Sequence, residues 1–220
     1  MSYDSYSLHT TEVDLAQPLS SLVPSVDGDV LTVLARTEAP LTGRQVAMLC
    51  RKGSQPAVQA ILDRLVDHGV VHARPAGRST FFALNRDHLL AAPVMAAVGA
   101  REAFILHLRE RIESWAVPAV HTSLFGSVVR GEAGPRSDVD VVVVRPEDVA
   151  PDDPIWLDQL AMGEALVSAW TGNSLAWFET TVAVLRTADL EHEPMLASVR
   201  REGVHLTGRR LRSLIERAAS

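Results

Sequence analysis

The sequence predicts a two-domain protein of the mixed α/β (α+β) class, and three observations support this prediction. The chain has 220 residues, a length between that of one domain and that of two small ones. Its hydrophobic periodicity is first helical, then strand-like, and then alternates between the two. Its charge is uneven, because residues 19–116 hold 11 basic and 9 acidic side chains while residues 117–220 hold 10 and 15. We therefore expect a flexible tail over residues 1–18, a first domain over 19–90, a connecting helix over 91–116 and a second domain over 117–220.

The composition excludes several classes of protein. Hydrophobic residues make up 47% and charged residues 22% of the chain, which is typical of globular and not of disordered proteins. The sequence contains neither an apolar run of transmembrane length nor a secretory signal, so we expect a cytoplasmic protein without a membrane partner. The single cysteine, Cys50, excludes a disulfide framework. We expect it to be buried on a helix, with a reactive thiol as the alternative.

Three helices are predicted at the start of the first domain. The first covers residues 28–37. Thr42 and Gln45 have the spacing of a capping box and mark the start of the second. Ser54 is the expected N-cap of the third helix, and Gly69 is expected just after its end. The apolar residues of this third helix recur at helical spacing and are Val58, Ile61, Leu62 and Leu65.

A hairpin is predicted after the third helix. Two extended runs, residues 70–73 and 79–84, flank a turn that contains Pro75 and Gly77. Three helices followed by a hairpin resemble a winged helix-turn-helix domain, and the resemblance covers about residues 28–85. It implies that the third helix enters the major groove of duplex DNA and that the hairpin lies over the phosphate backbone.

Candidate DNA contacts lie on and around this third helix. Glutamine can read adenine edges, and basic side chains can contact phosphates. The alternative is a solvated or protein-binding surface, since winged helices also bind proteins. The candidate DNA-binding residues are Arg51, Lys52, Gln55, Gln59, Arg74 and Arg78.

The connecting segment is helical in composition. Because Pro93 disfavours a continuous helix, we expect a short helix before it and a longer one over residues 94–115. Two interpretations of the apolar stripe on this longer helix stay open: it packs into the core, or it forms the seam of a homodimer. The stripe consists of Phe104, Ile105, Leu108, Ile112 and Trp115.

The second domain is predicted to combine strands and helices. The strand over residues 138–144 is nearly all valine, so we expect it to be buried on both faces. The other predicted strands cover residues 119–124 and 175–180. The predicted helices cover residues 155–170, 193–201 and 211–219.

A motif with glycine and aspartate residues joins the predicted strand over residues 119–124 to the one over residues 138–144. Residues 126–140 read GSVVRGEAGPRSDVD. Asp138 and Asp140 are two positions apart on a strand, so their side chains share one face. Such a pair suits two Mg²⁺ ions about 3.5–4 Å apart that clamp the attacking and leaving oxygens of a phosphoryl transfer. Gly126 lets a phosphate approach the backbone, and the Ser127 hydroxyl can bind the β- and γ-phosphates.

This motif resembles the signature of the minimal nucleotidyltransferases of the DNA polymerase β superfamily, the group that includes kanamycin nucleotidyltransferase. In that pattern, G-S-x-x-R-G is followed by five residues and then by S-D-x-D. The resemblance extends over about residues 117–210 and implies a mixed sheet with helices. It also implies Mg²⁺-dependent transfer of a nucleoside monophosphate from an NTP to a hydroxyl acceptor. The seven fixed positions are Gly126, Ser127, Arg130, Gly131, Ser137, Asp138 and Asp140.

Four residues in or near the motif have roles that the sequence leaves open. Arg130 either holds the triphosphate or pairs with an acid and fixes the loop. Ser127 is either a phosphate ligand or a plain N-cap. Ser137 belongs to the nucleotide-binding group, and we expect it to fix the loop rather than to touch substrate. His121 either lines the pocket or is a structural histidine.

The resemblance implies a third carboxylate on a neighbouring strand. Glu179 is the candidate, which would complete the catalytic and metal-binding set with Asp138 and Asp140 as a metal ligand or general base. The alternative is an exposed charge at the edge of the sheet. Asp189 and Glu191 are the fallback candidates.

Two functions follow from these observations. The first is an active nucleotidyltransferase, whose NTP-derived group goes to a protein, an RNA or a small molecule; relatives of this type include members of toxin–antitoxin systems. The second is a DNA-binding regulator whose transferase-like domain senses nucleotide or has lost activity. An enzyme that regulates its own operon would combine the two.

Overall fold

A computed structural model describes residues 12–132, 137–187 and 193–215. The described chain separates into two compact units, one formed by residues 17–103 and the other by residues 12–16 together with those from 104 onward. Helices and two separate β-sheets confirm the predicted mixed α/β class.

Both predicted helix starts of the first unit are confirmed. Thr42 Oγ1 accepts a hydrogen bond from the Gln45 amide at 3.3 Å, and Gln45 Oε1 accepts one from the Thr42 amide at 2.8 Å. Ser54 Oγ accepts a hydrogen bond from the Ala57 amide at 3.4 Å, and Gly69 has the positive φ (+72°) expected after a helix end. The unit contains a 3-10 helix (Pro18–Ser21), α1 (Val26–Arg36), α2 (Gly43–Leu49), α3 (Gln55–Asp67) and α4 (Ala91–Val98).

The first unit also contains a three-stranded antiparallel sheet. Its strands are β1 (Leu41–Thr42), β2 (Val71–Ala76) and β3 (Ser79–Leu84), in the order β1–β3–β2. The predicted hairpin is therefore confirmed as β2 and β3, with Gly77 in its turn. Two residues are too few to show a strand period, so the sequence did not predict β1.

The predicted helix break at Pro93 is wrong. Pro93 is the third residue of α4, where a missing N–H removes no intrahelical hydrogen bond. The break lies at Gly99, and α5 (Ala100–Glu113) follows. In the described ranges, none of the helices can cross a membrane alone; α4 and α5 match the length and composition of a span only when counted together across their bend.

The second unit is built on a four-stranded mixed sheet in the order β6–β5–β4–β7. Its strands are β4 (His121–Phe125), β5 (Val139–Arg145), β6 (Leu175–Thr181) and β7 (Val204–Gly208), and only β5 and β6 are parallel. Its other helices are α6 (Ser127–Arg130), α7 (Pro154–Thr171), α8 (Val182–Thr187), α9 (Pro194–Glu202) and α10 (Leu211–Ile215). The sequence did not predict β7 or α8.

The central strand β5 is buried on both faces, as its valine content predicts. Val139, Val141 and Val143 pack into one core with apolar residues of α5 and α7. Val142 and Val144 pack into a second core with residues of α8, α9 and α10. Because side chains alternate along a strand, Asp140 shares the face of the second core.

The apolar stripe that begins on α5 packs into the core of the second unit, which is the first of the two interpretations left open above. Phe104, Leu108, Ile112 and Trp115 are all buried there.

Residues 12–18 of the predicted flexible tail are also ordered. The Val13 amide donates a hydrogen bond to the Thr171 carbonyl at 2.9 Å, and Leu15 is 2% exposed within the α5–α7 core. The segment is too short to show a period that would reveal this packing. Residues 1–11 of the predicted tail lie outside the described residues.

Candidate active site

Gly126 brings the backbone against the Asp140 carboxylate. Strand β4 ends at Phe125, which pairs with Asp140 at the start of β5. Gly126 follows with φ +76° and ψ −155°, a conformation that only glycine adopts readily. A Cβ atom at this position would lie 2.3 Å from Asp140 Oδ2. Both the backbone conformation and the available space therefore require glycine here.

Asp138 and Asp140 form a pair of carboxylates that repel each other. Asp138 is exposed and Asp140 is half-buried. Burial raises the pKa of Asp140, the charge of Asp138 raises it further, and Arg130 acts in the opposite direction. A divalent cation would relieve this repulsion, and carboxylate oxygens are ligands that Mg²⁺ prefers. Within the described ranges, no cluster of three or more His, Cys, Asp or Glu side chains forms a ready metal site.

Hydrogen bonds to residues 173 and 174, just before β6, hold the chain on both sides of Asp138. Asn173, which is 1% exposed, donates from Nδ2 to the Ser137 carbonyl at 3.1 Å. The Val139 amide donates to the Ser174 carbonyl at 2.8 Å. Ser137 thus helps to fix the loop, at least through its backbone. The sequence identified residues 171–173 only as a helix end and did not predict this role of Asn173.

Arg130 pairs with acidic side chains, which is the second of the two arrangements that the sequence left open. Its guanidinium donates to Glu132 and to Glu202, each at 2.7 Å. These hydrogen bonds, first the one to Glu132, raise the pKa of Arg130. Ser198 also donates to Glu202, at 2.6 Å. Glu202 is 72 positions from Arg130, and no pattern in the sequence connects the two.

Ser127 is the first residue of α6 and is half-buried. The N-cap of this helix is Gly126, so the alternative that Ser127 is a plain N-cap is wrong. Ser127, with its hydroxyl group, is therefore the residue directly after Gly126, whose backbone lies against Asp140.

The structure does not bring Glu179 together with the two aspartates, and this prediction has to be corrected. In the parallel pairing of β5 and β6, Asp140 is opposite Ala176 and Glu179 is opposite Val143. Glu179 therefore lies three positions further along the sheet and on the opposite face. The two fallback acids, Asp189 and Glu191, lie outside the described residues.

Glu179 instead forms a structural contact on the α5–α7 side of the sheet. Its Oε1 accepts a hydrogen bond from Arg145 at 2.6 Å, and its Oε2 accepts one from Trp156 Nε1 at 3.2 Å. Glu179 is an exposed residue on the edge strand β6, as the alternative interpretation predicts, and its carboxylate is held by these two contacts.

His121 lies at the end of β4 far from Asp140, opposite Val144. Its Nδ1 donates to the Arg209 carbonyl at 2.7 Å, and its Nε2 accepts a hydrogen bond from Ser123 at 2.8 Å. Burial lowers the pKa of His121 to about 4, so the ring is neutral at pH 7. The structural interpretation therefore fits, although the ring also lines a cavity.

Five of the six candidate DNA-binding side chains are exposed, and these are Arg51, Lys52, Gln55, Arg74 and Arg78. Gln59 differs, because it is half-buried, lies against Gly43 and donates to Asp63 at 2.8 Å. Cys50 is half-buried at the end of α2, and burial followed by the charge of Asp29 raises the pKa of its thiol to about 11. A thiol with such a pKa is not a nucleophile at pH 7.

We expect Gly126→Ala to destabilise the second unit more than Gly131→Ala does. Gly131 has a left-handed conformation (φ +68°, ψ +27°), for which alanine costs about 1–2 kcal/mol. Alanine at Gly126 adds a more strained backbone and a clash with Asp140, which raises the loss to about 3 kcal/mol or more. Urea denaturation of both variants measures the difference. Equal losses would contradict the close approach.

We expect Glu179→Gln to reduce the free energy of unfolding by about 1–3 kcal/mol, because it leaves the Arg145 guanidinium, 12% exposed, without its carboxylate. ATP binding should be unchanged. Glu164→Gln, which removes an exposed acid from α7, is the matched control. Chemical denaturation and calorimetric titration with Mg²⁺ and ATP measure both effects. A variant with full stability and lost ATP binding would return Glu179 to the nucleotide site.

Comparison with known protein families supports one general activity for this chain. A search of curated proteins finds no significant match. A solved structure of human N-acetylserotonin methyltransferase in complex with SAM is 19% identical, with a TM-score of 0.27, and the match covers 46% of this chain and 31% of that one. This similarity is too weak to indicate a shared fold or function. Residues 108–169, which include the motif from Gly126 to Asp140, match the family model described as a nucleotidyltransferase domain, and this match supports nucleotidyl transfer as the general activity.

Proposed function

We propose that this protein is a Mg²⁺-dependent nucleotidyltransferase that moves a nucleoside monophosphate from an NTP to a hydroxyl acceptor. The observation that carries the proposal is the placement of the Asp140 carboxylate against Gly126, with Asp138 near enough for its charge to raise the pKa of Asp140. The match of residues 108–169 to a nucleotidyltransferase domain supports it.

The two aspartates would hold the metal. Two carboxylates together with substrate phosphate oxygens can fill much of one Mg²⁺ shell. When bound, Mg²⁺ neutralises charge on the reacting phosphate. A second ion would need another acid, and the remaining candidates, Asp189 and Glu191, lie outside the described residues.

The residues beside the aspartates would bind and position the triphosphate. Gly126 has no Cβ, so phosphate oxygens can approach the backbone closely, and the Ser127 hydroxyl can donate a hydrogen bond to them. Arg130, held by Glu132 and Glu202, places a positive charge near Asp140. This charge favours the ionised form of Asp140, which is the form that binds a metal.

In the reaction, the acceptor oxygen bonds to the α-phosphorus and the bond to the β-phosphate oxygen breaks. Pyrophosphate leaves, and the proton of the hydroxyl passes to a base. The acceptor is a protein, an RNA or a small molecule. Glu179 is excluded as this base by its place on the other face of the sheet.

A second candidate function is nucleotide sensing without transfer. It is favoured by the absence of a third carboxylate beside Asp138 and Asp140 among the described residues. Nucleotide binding by wild type without any transfer to an acceptor would distinguish a sensor from an enzyme.

We expect the variant with both Asp138→Asn and Asp140→Asn to reduce transfer about 100-fold or more, because loss of metal-assisted charge neutralisation removes several kcal/mol of transition-state stabilisation. The assay measures label transfer from α-³²P-labelled NTPs to cell extract or to the protein itself. Asp158→Asn, which changes an exposed acid on α7, should transfer as wild type does. Equal labelling by wild type and the double variant would refute the assigned site.

We further propose that the first unit is a winged-helix domain that binds duplex DNA. Three helices followed by an antiparallel hairpin support this proposal. Arg51, Lys52 and Gln55 are exposed where α2 leads into α3, and Arg74 and Arg78 are exposed in the hairpin. Exposed basic side chains in this arrangement suit phosphate contacts, and Gln55 suits contact with a base edge.

We expect the full chain with both Arg74→Ala and Arg78→Ala to bind all DNA sequences more weakly by a similar factor, with a smaller dependence on salt, because phosphate contacts release counterions. Arg36→Ala, which removes an exposed arginine from α1, is the control. Fluorescence anisotropy with the promoter DNA of the gene measures binding. Tight binding that both variants retain would place the DNA elsewhere, and no binding by wild type would favour a protein-binding module.

A further inference from the structure

A cavity of about 750 Å³ lies within the second unit, on the same face of the sheet as Asp140. His121 and Ser123 of β4 and His205 of β7 form its floor, and residues of α9 and α10 line its sides. Phe125 pairs with Asp140, whereas His121 pairs with Val144, four positions further along β5. Ser123 pairs with Val142, two positions along β5 from Asp140, so at about 3.4 Å per residue the floor begins roughly 7 Å from Asp140 and ends roughly 14 Å away at His121.

The lining of this cavity is basic although residues 117–220 as a whole are acidic. Three arginines line it together with His205 and the neutral ring of His121, and none of its lining residues is acidic. No carboxylate in the described part of the chain pairs with Arg200 or Arg210. The cavity therefore concentrates positive charge in a domain whose acids outnumber its bases. The lining arginines are Arg200, Arg210 and Arg212.

The turn that carries Arg210 is held rigidly against the floor. The Arg209 amide donates to the Val120 carbonyl at 2.8 Å, and the Arg209 carbonyl accepts the His121 Nδ1–H at 2.7 Å. His205 donates from Nε2 to the Gly208 carbonyl at 3.1 Å. Because a carbonyl oxygen can only accept, this nitrogen carries the proton. A basic side chain on a fixed backbone loses less freedom when an anion binds.

We propose that this cavity binds a small molecule that carries two or more phosphate groups, at a site separate from Asp138 and Asp140. Its volume is within the range of small-molecule sites. Guanidinium groups match phosphate oxygens in pairs, so several arginines suit a ligand with several phosphate groups. The cavity also has an apolar wall, formed by Val199, Leu211 and Ile215. This wall can contact the part of the ligand that carries no phosphate.

The test is calorimetric titration of the full chain with pyrophosphate in EDTA, which prevents binding through a metal at the aspartates. We expect the variant with both Arg200→Gln and Arg210→Gln to bind at least about tenfold more weakly, since it loses two cationic groups that donate charge-assisted hydrogen bonds to phosphate. Arg201→Gln is the matched control, because Arg201 is exposed on the same helix but does not line the cavity.

Two further comparisons separate this site from the proposed transferase site and define its ligand. The variant with both Asp138→Asn and Asp140→Asn should bind pyrophosphate as wild type does, even if no transfer activity is ever detected. ADP is titrated under the same conditions. Tighter binding of ADP supports a nucleotide ligand that uses the apolar wall, and tighter binding of pyrophosphate supports a free polyphosphate.

Three results would overturn the proposal. The first is no binding of either probe by wild type in EDTA. The second is binding that the Arg200 and Arg210 substitutions leave unchanged. The third is equal or tighter binding of citrate, which would show that the cavity recognises carboxylates rather than phosphates.

Discussion

The fixed register of β5 within the sheet is the constraint on which the second unit depends. This strand is covered on both faces, so a shift by one residue would exchange its valines between the two cores and turn Asp140 into the α5–α7 core. The burial of Val139, Val141 and Val143 on one side therefore commits Asp140 to the other. The same register decides which residues of β4 and β6 lie beside the aspartates.

The loops around the aspartates are fixed by contacts from distant parts of the chain. Gly126 packs its backbone against Asp140, Asn173 holds the Ser137 carbonyl, and Glu202 holds Arg130. None of these contacts is local in sequence. Together they place a carboxylate pair, a glycine and a hydroxyl where β4 ends and β5 begins. This arrangement is suited to a metal-bound triphosphate. The cost is a raised pKa of Asp140, caused first by burial and then by repulsion from Asp138, and a bound cation would relieve this repulsion.

Local chemistry made much of this structure predictable. The capping box of Thr42 and Gln45, the glycine after α3 and the valine run of β5 each predicted an element that the structure contains. Contacts between distant segments were not predictable in this way. The sequence located Glu179 correctly on a strand, but the face of a strand depends on register with its neighbour, which a single sequence does not contain. The pairing of Arg130 with Glu202 was hidden for the same reason.

The most direct test of this account is Mn²⁺ binding to the full chain, measured by the loss of the free-ion electron paramagnetic resonance signal in the presence of a non-hydrolysable ATP analogue. Mn²⁺ takes the oxygen ligands that Mg²⁺ takes. We expect wild type to bind Mn²⁺ together with the analogue, Asp140→Asn to weaken this binding and Glu179→Gln to leave it unchanged. Equal Mn²⁺ binding by wild type and Asp140→Asn, or a loss confined to Glu179→Gln, would contradict it.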